Sequence, residues 1–336
     1  MSDKQPNVDL VLEGGGVKGI GLLGAVLVLA EHGYRFPRIA GTSAGAIVGA
    51  LVAAYQKAGK DLHDLVGVMK DLQYSRFADS PLPGPLGRCL TDGVELLLHE
   101  GAHSGQYLTD WLGPQLEAAG VRTFADLAIS PEDDMGSSLA EYQRYSLVVH
   151  ASDLSRRVLV RLPWDYEQYG KQPREQRVVD AVRASMSIPL YFQPVQVETG
   201  NGTATWVDGG LLSNFPITAF DRTDGLPARW PSWGVKLSSR PTLDTPDRPV
   251  RTALQIATAC VETRTGDWNR YHLHDEGVDQ RTIYVDTMGV SSTDFGLSTD
   301  TRNQLLDNGR QAATAFLDRQ KTPGHTWEVI RSVAQA

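Results

Sequence analysis

Three short stretches hold residues whose types and spacing fit acyl-transfer chemistry. Gly41-Thr42-Ser43-Ala44-Gly45 is a G-x-S-x-G sequence, the spacing of a nucleophile elbow, in which a sharp turn projects a serine hydroxyl. Small residues on both sides allow the turn to be tight, and a helix starting under the serine favours developing negative charge. A serine hydroxyl is a poor nucleophile until a base takes its proton. Asp208-Gly209-Gly210 supplies a carboxylate at the end of the β-run Thr203-Ala204-Thr205-Trp206-Val207, followed by two glycines that let the chain turn. That position reads as a carboxylate pointing from the sheet edge, as exposed as the elbow serine, although an Asp-Gly pair is also an ordinary turn. The third stretch, Val11 to Gly21, reads VLEGGGVKGIG. Its Gly14, Gly16 and Gly19 fit G-x-G-x-x-G, a phosphate cradle or a turn whose N–H groups face some other negative charge.

Nucleotide chemistry fails on specific residues. A dinucleotide fold places an acidic residue at the end of the second strand, about 20 residues past the glycines. Here that strand ends in Gly41-Thr42-Ser43, and Lys18 is followed by Gly19 instead of the Ser or Thr of a P-loop. A histidine base is not marked either. The eight histidines are His32, His63, His99, His103, His150, His272, His274 and His325, and none has a glycine-flanked or strand-end context. His32 reads as the exit of the first helix and His63 as a solvated helix face. The hydrolase order Ser, Asp, His is open to His272, His274 or His325, but that fold places its elbow deeper in the sheet. His272-Leu273-His274-Asp275 reads as a polar loop, because a metal pair lacks further ligands at family-like spacing.

The elements that must carry these residues alternate. Val8 to Glu13 reads as a strand, Ile20 to Glu31 as a buried helix, Arg38 to Thr42 as a second strand and Ala44 to Ala58 as a helix of small residues. Strand, turn, helix, repeated, predicts a parallel sheet flanked by helices. Lys60 to Leu72, Ser104 to Ala119 (capped and amphipathic), Arg174 to Ser187, Val250 to Thr263 and Thr301 to Arg319 read as further helices. Tyr145 to Ser152 and Arg156 to Leu162 read as adjacent strands, Val195 to Val207 as a hairpin turning at Gly200-Asn201-Gly202, and Trp233 to Leu237 and Thr282 to Val285 as later strands. Ile129 to Ser138 is a polar loop. Tyr74 to Leu90, with three prolines and two glycines, excludes regular structure and is either a lid or a plain surface loop. No repeat or interdomain linker appears, so one α/β domain with embellishments is expected.

Composition bounds the partners. A net charge of −8 over 336 residues argues against nucleic acid and against broad attraction to anionic membranes. Cys89 and Cys260 are isolated, which predicts reduced thiols and neither a disulfide framework nor a zinc site. The N-terminus has no signal-peptide pattern, and the apolar run Ile20 to Ala30 is too short to span a bilayer. The expectation is a cytoplasmic protein, or one peripheral at a membrane surface.

Taken in order, Gly14-Gly15-Gly16-Val17-Lys18-Gly19, Gly41-Thr42-Ser43-Ala44-Gly45 and Asp208-Gly209-Gly210 resemble the patatin-like phospholipase family. Arg183-Ala184-Ser185-Met186-Ser187-Ile188-Pro189 and Leu211-Leu212-Ser213-Asn214-Phe215-Pro216 match in character. The resemblance covers about Val8 to Arg222. It implies an α/β, patatin-like three-layer fold with a mostly parallel central sheet, a catalytic domain over 8–222, and 223–336 packed on the same unit. It also implies a Ser-Asp dyad without histidine, with Ser43 as nucleophile and Asp208 as proton acceptor. Gly14, Gly15, Gly16, Lys18 and Gly19 then form the oxyanion turn, with donors around Gly15 and Gly16, and the Lys18 charge supports either the loop or the oxyanion. Gly41 and Gly45 shape the elbow, and Gly209 and Gly210 turn the chain after the base. No cofactor or metal is called for, and the substrate is a lipid at a membrane interface. A Ser-His-Asp esterase and a lipid-binding or signalling protein with little turnover are the alternatives.

Overall fold

The computed structural model describes residues 6–78, 104–134, 139–237 and 276–321. The expected helix over 250–263, the 79–90 part of the proline-rich loop, both cysteines, His99, His103, His272, His274, Asp275 and His325 lie outside these.

Eight strands form one mixed sheet: β1 (Asp9–Leu12), β2 (Ile39–Thr42), β3 (Leu147–Asp153), β4 (Val158–Leu162), β5 (Val195–Thr199), β6 (Gly202–Asp208), β7 (Ser232–Lys236) and β8 (Thr282–Tyr284). The path runs β5-β6-β3-β2-β1-β7-β8, with β4 also on β3. β3, β2, β1, β7 and β8 are parallel to their neighbours, whereas the β3–β4, β3–β6 and β5–β6 pairings are antiparallel. The buried, near-continuous apolar runs of β1 and β2 are what a sheet covered by helices requires.

Six helices are named here: α1 (Gly19–Glu31), α2 (Ala44–Ala58), α3 (Asp64–Asp71), α4 (Gln106–Ala118), α5 (Val178–Ser185) and α6 (Thr299–Gln320). α2 lies over β1, β2 and β3 with α4 and α5 beside it, and α1 packs along α6. Eleven residues of α1, Gly19 to Leu29, are buried.

Several expected boundaries move for local reasons. α3 starts at Asp64 because the Asp61 carboxylate accepts the His63 N–H at 2.9 Å and holds the preceding residues in a turn. α4 starts at Gln106 because Gly105 is left-handed at φ +65°, and Ser104 Oγ accepts the Gln106 N–H at 3.2 Å at its start, in line with the expectation of a capped helix. The 174–187 segment is α-helical only from Val178, after a 3-10 turn over Pro173–Glu175, because Arg177 is extended and bridges to Thr123. Tyr74–Ala78, expected to lack regular structure, forms a 3-10 turn that buries Tyr74 and Phe77.

Candidate active site

The register of β3 explains how Ser43 and Asp208 meet. β4 covers one edge of β3 from Val149 to Asp153, so β2, paired over Leu147 to His150, and β6, paired over Ala151 to Asp153, share the other edge end to end. Thr42 is opposite His150, and Asp208 is opposite Ala151. Ser43, one residue beyond Thr42, and Asp208 therefore reach the same rung from opposite directions. The Ser43 hydroxyl acts on the Asp208 carboxyl, favouring its charged form.

The elbow forces Ser43 to φ +52°, ψ −119°, backbone that an L-residue adopts at a cost of about 1–2 kcal/mol. Gly41 and Gly45 make the turn passable: a Cβ on Gly45 would sit 2.2 Å from the Leu12 carbonyl oxygen, and one on Gly41 2.4 Å from that of Gly45. Next to Asp208, a Cβ on Gly209 would meet the His150 carbonyl at 2.3 Å, so only glycine lets β6 turn away from β3 there.

Both side chains are buried, Ser43 at 4% exposure and Asp208 at 2%. This corrects the expectation of a carboxylate standing exposed at the sheet edge, since the abutting strand ends and α5 cover it. Burial pushes the Asp208 carboxyl from 3.8 up to about 7, against the pull of the Ser43 hydroxyl and the Gly210 N–H, which donates to Oδ1 at 2.7 Å.

The end of α5 holds the backbone at both Ser43 and Asp208. Ser185 Oγ accepts the Ser43 N–H at 2.8 Å and donates to the His150 carbonyl at 2.6 Å. The Ser187 carbonyl accepts the Asp208 N–H at 2.9 Å. Arg183 reaches back to Ser187 Oγ and donates to the Ser104 and Gln193 carbonyls at 2.6 and 2.9 Å. The sequence marked 183–189 as a block without assigning these roles. A buried serine two residues before another, ahead of Ile188-Pro189, was the available signal.

The first glycine turn lies against the elbow. A Cβ on Gly14 would come 3.2 Å from Ser43 Cβ, and one on Gly19 3.3 Å from Ala44 Cβ. Gly14, grouped on sequence with the oxyanion turn, has its N–H committed to the Asn214 carbonyl at 3.0 Å, while Asn214 Nδ2 donates back to the Gly14 carbonyl at 3.1 Å. Val17 N–H goes to the Ser292 carbonyl at 3.1 Å and Lys18 N–H to that of Gly15 at 3.2 Å. Among the described residues, no backbone partner takes the Gly15 or Gly16 N–H. Gly16 is left-handed at φ +55°, and Lys18 stands half-buried immediately before α1.

Of the described histidines, none is bonded to Ser43 or Asp208. His32 Nδ1 meets the Val28 carbonyl at 2.8 Å at the exit of α1. His63 is an exposed residue between Glu31 and Asp61, both at 2.8 Å. His150 is buried on β3, and the alternation of the strand sends it to the face opposite Ala151 and its partner Asp208. Burial lowers its imidazole to about 4, so it is neutral at physiological pH. Among the described residues no group of three or more His, Cys, Asp or Glu side chains comes together.

A family model for patatin-like phospholipases matches residues 10–221, nearly two-thirds of the chain. The chain belongs to the patatin-like phospholipase family. The uncharacterized protein YqhO of Bacillus subtilis (strain 168) is 35% identical over 312 residues, covering 92% of this chain and 98% of its own. Solved structures similar to it include VipD from Legionella pneumophila, with TM-score 0.48, 17% identity, 94% of this chain and 67% of that one. The type III effector ExoU matches with TM-score 0.44 and 17% identity over 94% of this chain, which spans 53% of its length. In a further structure ExoU forms a heterodimeric complex with SpcU from Pseudomonas aeruginosa, TM-score 0.46, 18% identity, 94% of this chain and 52% of that one. Membership of the patatin-like family supports a lipid hydrolase as the class of activity. Among the described residues no helix is long and apolar enough to cross a membrane.

Proposed function

We propose that the chain is a serine acyl hydrolase of the phospholipase A type, cleaving fatty-acyl esters of phospholipids through a Ser43–Asp208 dyad. The observation that carries this reading is the meeting of Ser43 and Asp208, both buried, at one rung of β3, with the Asp208 carboxyl raised to about 7. A base poised near neutral pH is suited to take a serine proton and return it. Ser43 Oγ attacks the ester carbonyl carbon as its proton passes to Asp208. The carbonyl π electrons move onto oxygen, where the Gly15 and Gly16 N–H groups donate to the oxyanion. Collapse breaks the ester C–O bond, and the proton on Asp208 goes to the departing alkoxide, leaving an acyl-enzyme and a lysolipid. Water then attacks the acyl carbon, giving its proton to Asp208, and collapse returns that proton to Ser43 Oγ as the fatty acid leaves. Gly14, Lys18 and Gly19 shape the oxyanion turn, Gly41 and Gly45 the elbow, and Gly209 and Gly210 the exit from the base.

Such a substrate implies work at a membrane surface, with the protein peripheral to it. The test is incubation with a mixed phospholipid extract, measuring fatty acid and lysolipid. Wild type releases both in equal amounts and Ser43→Ala releases neither; release that persists in Ser43→Ala contradicts the reading.

A further inference from the structure

The glycine turn leans on a part of the chain beyond the family match. Glu13 follows β1 and immediately precedes Gly14. It is 4% exposed, and its Oε1 accepts from Lys236 Nζ at 2.8 Å, itself 2% exposed. Its Oε2 accepts the Leu237 N–H at 2.5 Å, and its own N–H goes to the Val235 carbonyl at 3.1 Å. The end of β7 is thus tied to the start of the turn by an ion pair, a main-chain N–H on the Glu13 carboxylate and one main-chain bond. Leu237 then turns its side chain onto the glycines: a Cβ built on Gly15 would lie 2.3 Å from Leu237 Cδ1. A Cβ on Gly16 would lie 1.9 Å from the Ser292 carbonyl oxygen, the atom that accepts the Val17 N–H. Lys236, Leu237 and Ser292 all fall after residue 221.

A buried ion pair is an expensive way to fill space. Taking each ion out of water costs several kcal/mol, and apolar residues of the same volume are often as stable or more so. What the pair supplies here is direction. One carboxylate oxygen is fixed by an ammonium and the other by a main-chain N–H, so Glu13 cannot rotate and the residue after it enters the turn at a set angle. The Gly15 and Gly16 N–H groups, without a backbone partner among the described residues, are those whose aim this angle sets.

We propose that Glu13, Lys236 and Leu237 are positioning residues that hold the Gly15 and Gly16 N–H groups on the oxyanion, making the segment after residue 221 part of the catalytic unit. This rests on the acyl-hydrolase reading. A misplacement of about 1 Å at such donors costs up to about a hundredfold in rate.

The test measures kcat and KM on a short-chain ester, with kcat divided by the fraction of sites titrated by a fluorophosphonate. Lys236→Met is expected to lose about tenfold to a hundredfold in kcat per titrated site with KM within about threefold, while Lys236→Arg, which keeps the charge, retains more. Leu237→Val trims the methyl over Gly15 with little risk to folding, and is expected to lose about threefold to tenfold. If Lys236→Met does not fold, Leu237→Val decides. A kcat per titrated site within about twofold of wild type in either folded variant, whatever the melting temperature, overturns the proposal. A wild type that the probe labels and that turns over, beside unaffected variants, leaves the hydrolase reading standing. A wild type without Ser43-dependent turnover sinks both.

Discussion

The turns after β1 and β2 are neighbours in the parallel part of one mixed sheet, both rich in glycine, yet they reach unusual backbone by opposite means. After β1 the left-handed residue is Gly16 at φ +55°, where glycine pays no steric penalty. After β2 it is Ser43 at φ +52°, a residue that does. The first turn has no side chain to offer, and presents backbone N–H groups. The second accepts strain in order to present a hydroxyl. Each is held from outside: the first by β7 and Ser292, the second by Ser185. On the proposed function, two βα turns of one sheet divide the work of acyl transfer, one stabilising charge and the other forming the bond.

Substitutions can break or sharpen this contrast. The largest effect is expected at Ser43. Ser43→Ala and Ser43→Gly should both lose about 10⁴-fold or more in turnover. Only Ser43→Gly relieves the strain, and urea denaturation should find it about 1 kcal/mol more stable than Ser43→Ala. Equal stabilities would remove strain from the contrast. Next comes Gly16→Ala, whose Cβ would sit 1.9 Å from the Ser292 carbonyl oxygen. Displacing that donor should cost about 10²- to 10³-fold in kcat while the fluorophosphonate adduct stays on Ser43.

The pH dependence follows from Asp208. Its carboxyl is raised from 3.8 to about 7, so the proton-accepting form is lost as pH falls through that value. kcat/KM should drop tenfold per pH unit below it, about a hundredfold by pH 5. A profile flat down to pH ~4 would contradict a raised value. The same shift has a sign for stability. The folded state holds the proton more tightly than the unfolded chain between 3.8 and about 7, so this group stabilises the fold as pH falls and opposes it at higher pH. The smallest effect is expected at Ser185. Ser185→Ala removes the acceptor of the Ser43 N–H, and should lower kcat about tenfold with a loss of about 1–2 kcal/mol in stability.

The two turns also differ in how far they could be read in advance. Their glycines, their strands and their helices were legible because each requirement is local: a tight turn needs small residues, and a strand covered on both faces needs an apolar run. The pairing of Ser43 with Asp208 came through family resemblance, because the residues are brought together by β3, which neither adjoins in sequence. The burial of Asp208 was misread for the same reason, since Asp-Gly-Gly at a strand end looks like a surface turn until β2 is found abutting it. Lys236 lies 223 residues from Glu13, and no local pattern links a lysine in an apolar strand to a glutamate before a glycine turn. Gly14 belongs to the expected oxyanion turn, and the commitment of its N–H to Asn214 is likewise set by a distant residue.

Fluorophosphonate labelling mapped by mass spectrometry bears most directly on the dyad. Wild type should carry one adduct, on Ser43, and Asp208→Asn should label about a hundredfold more slowly or less, because the hydroxyl has lost its base. An adduct on another residue, or an unchanged labelling rate in Asp208→Asn, would contradict the Ser43–Asp208 account.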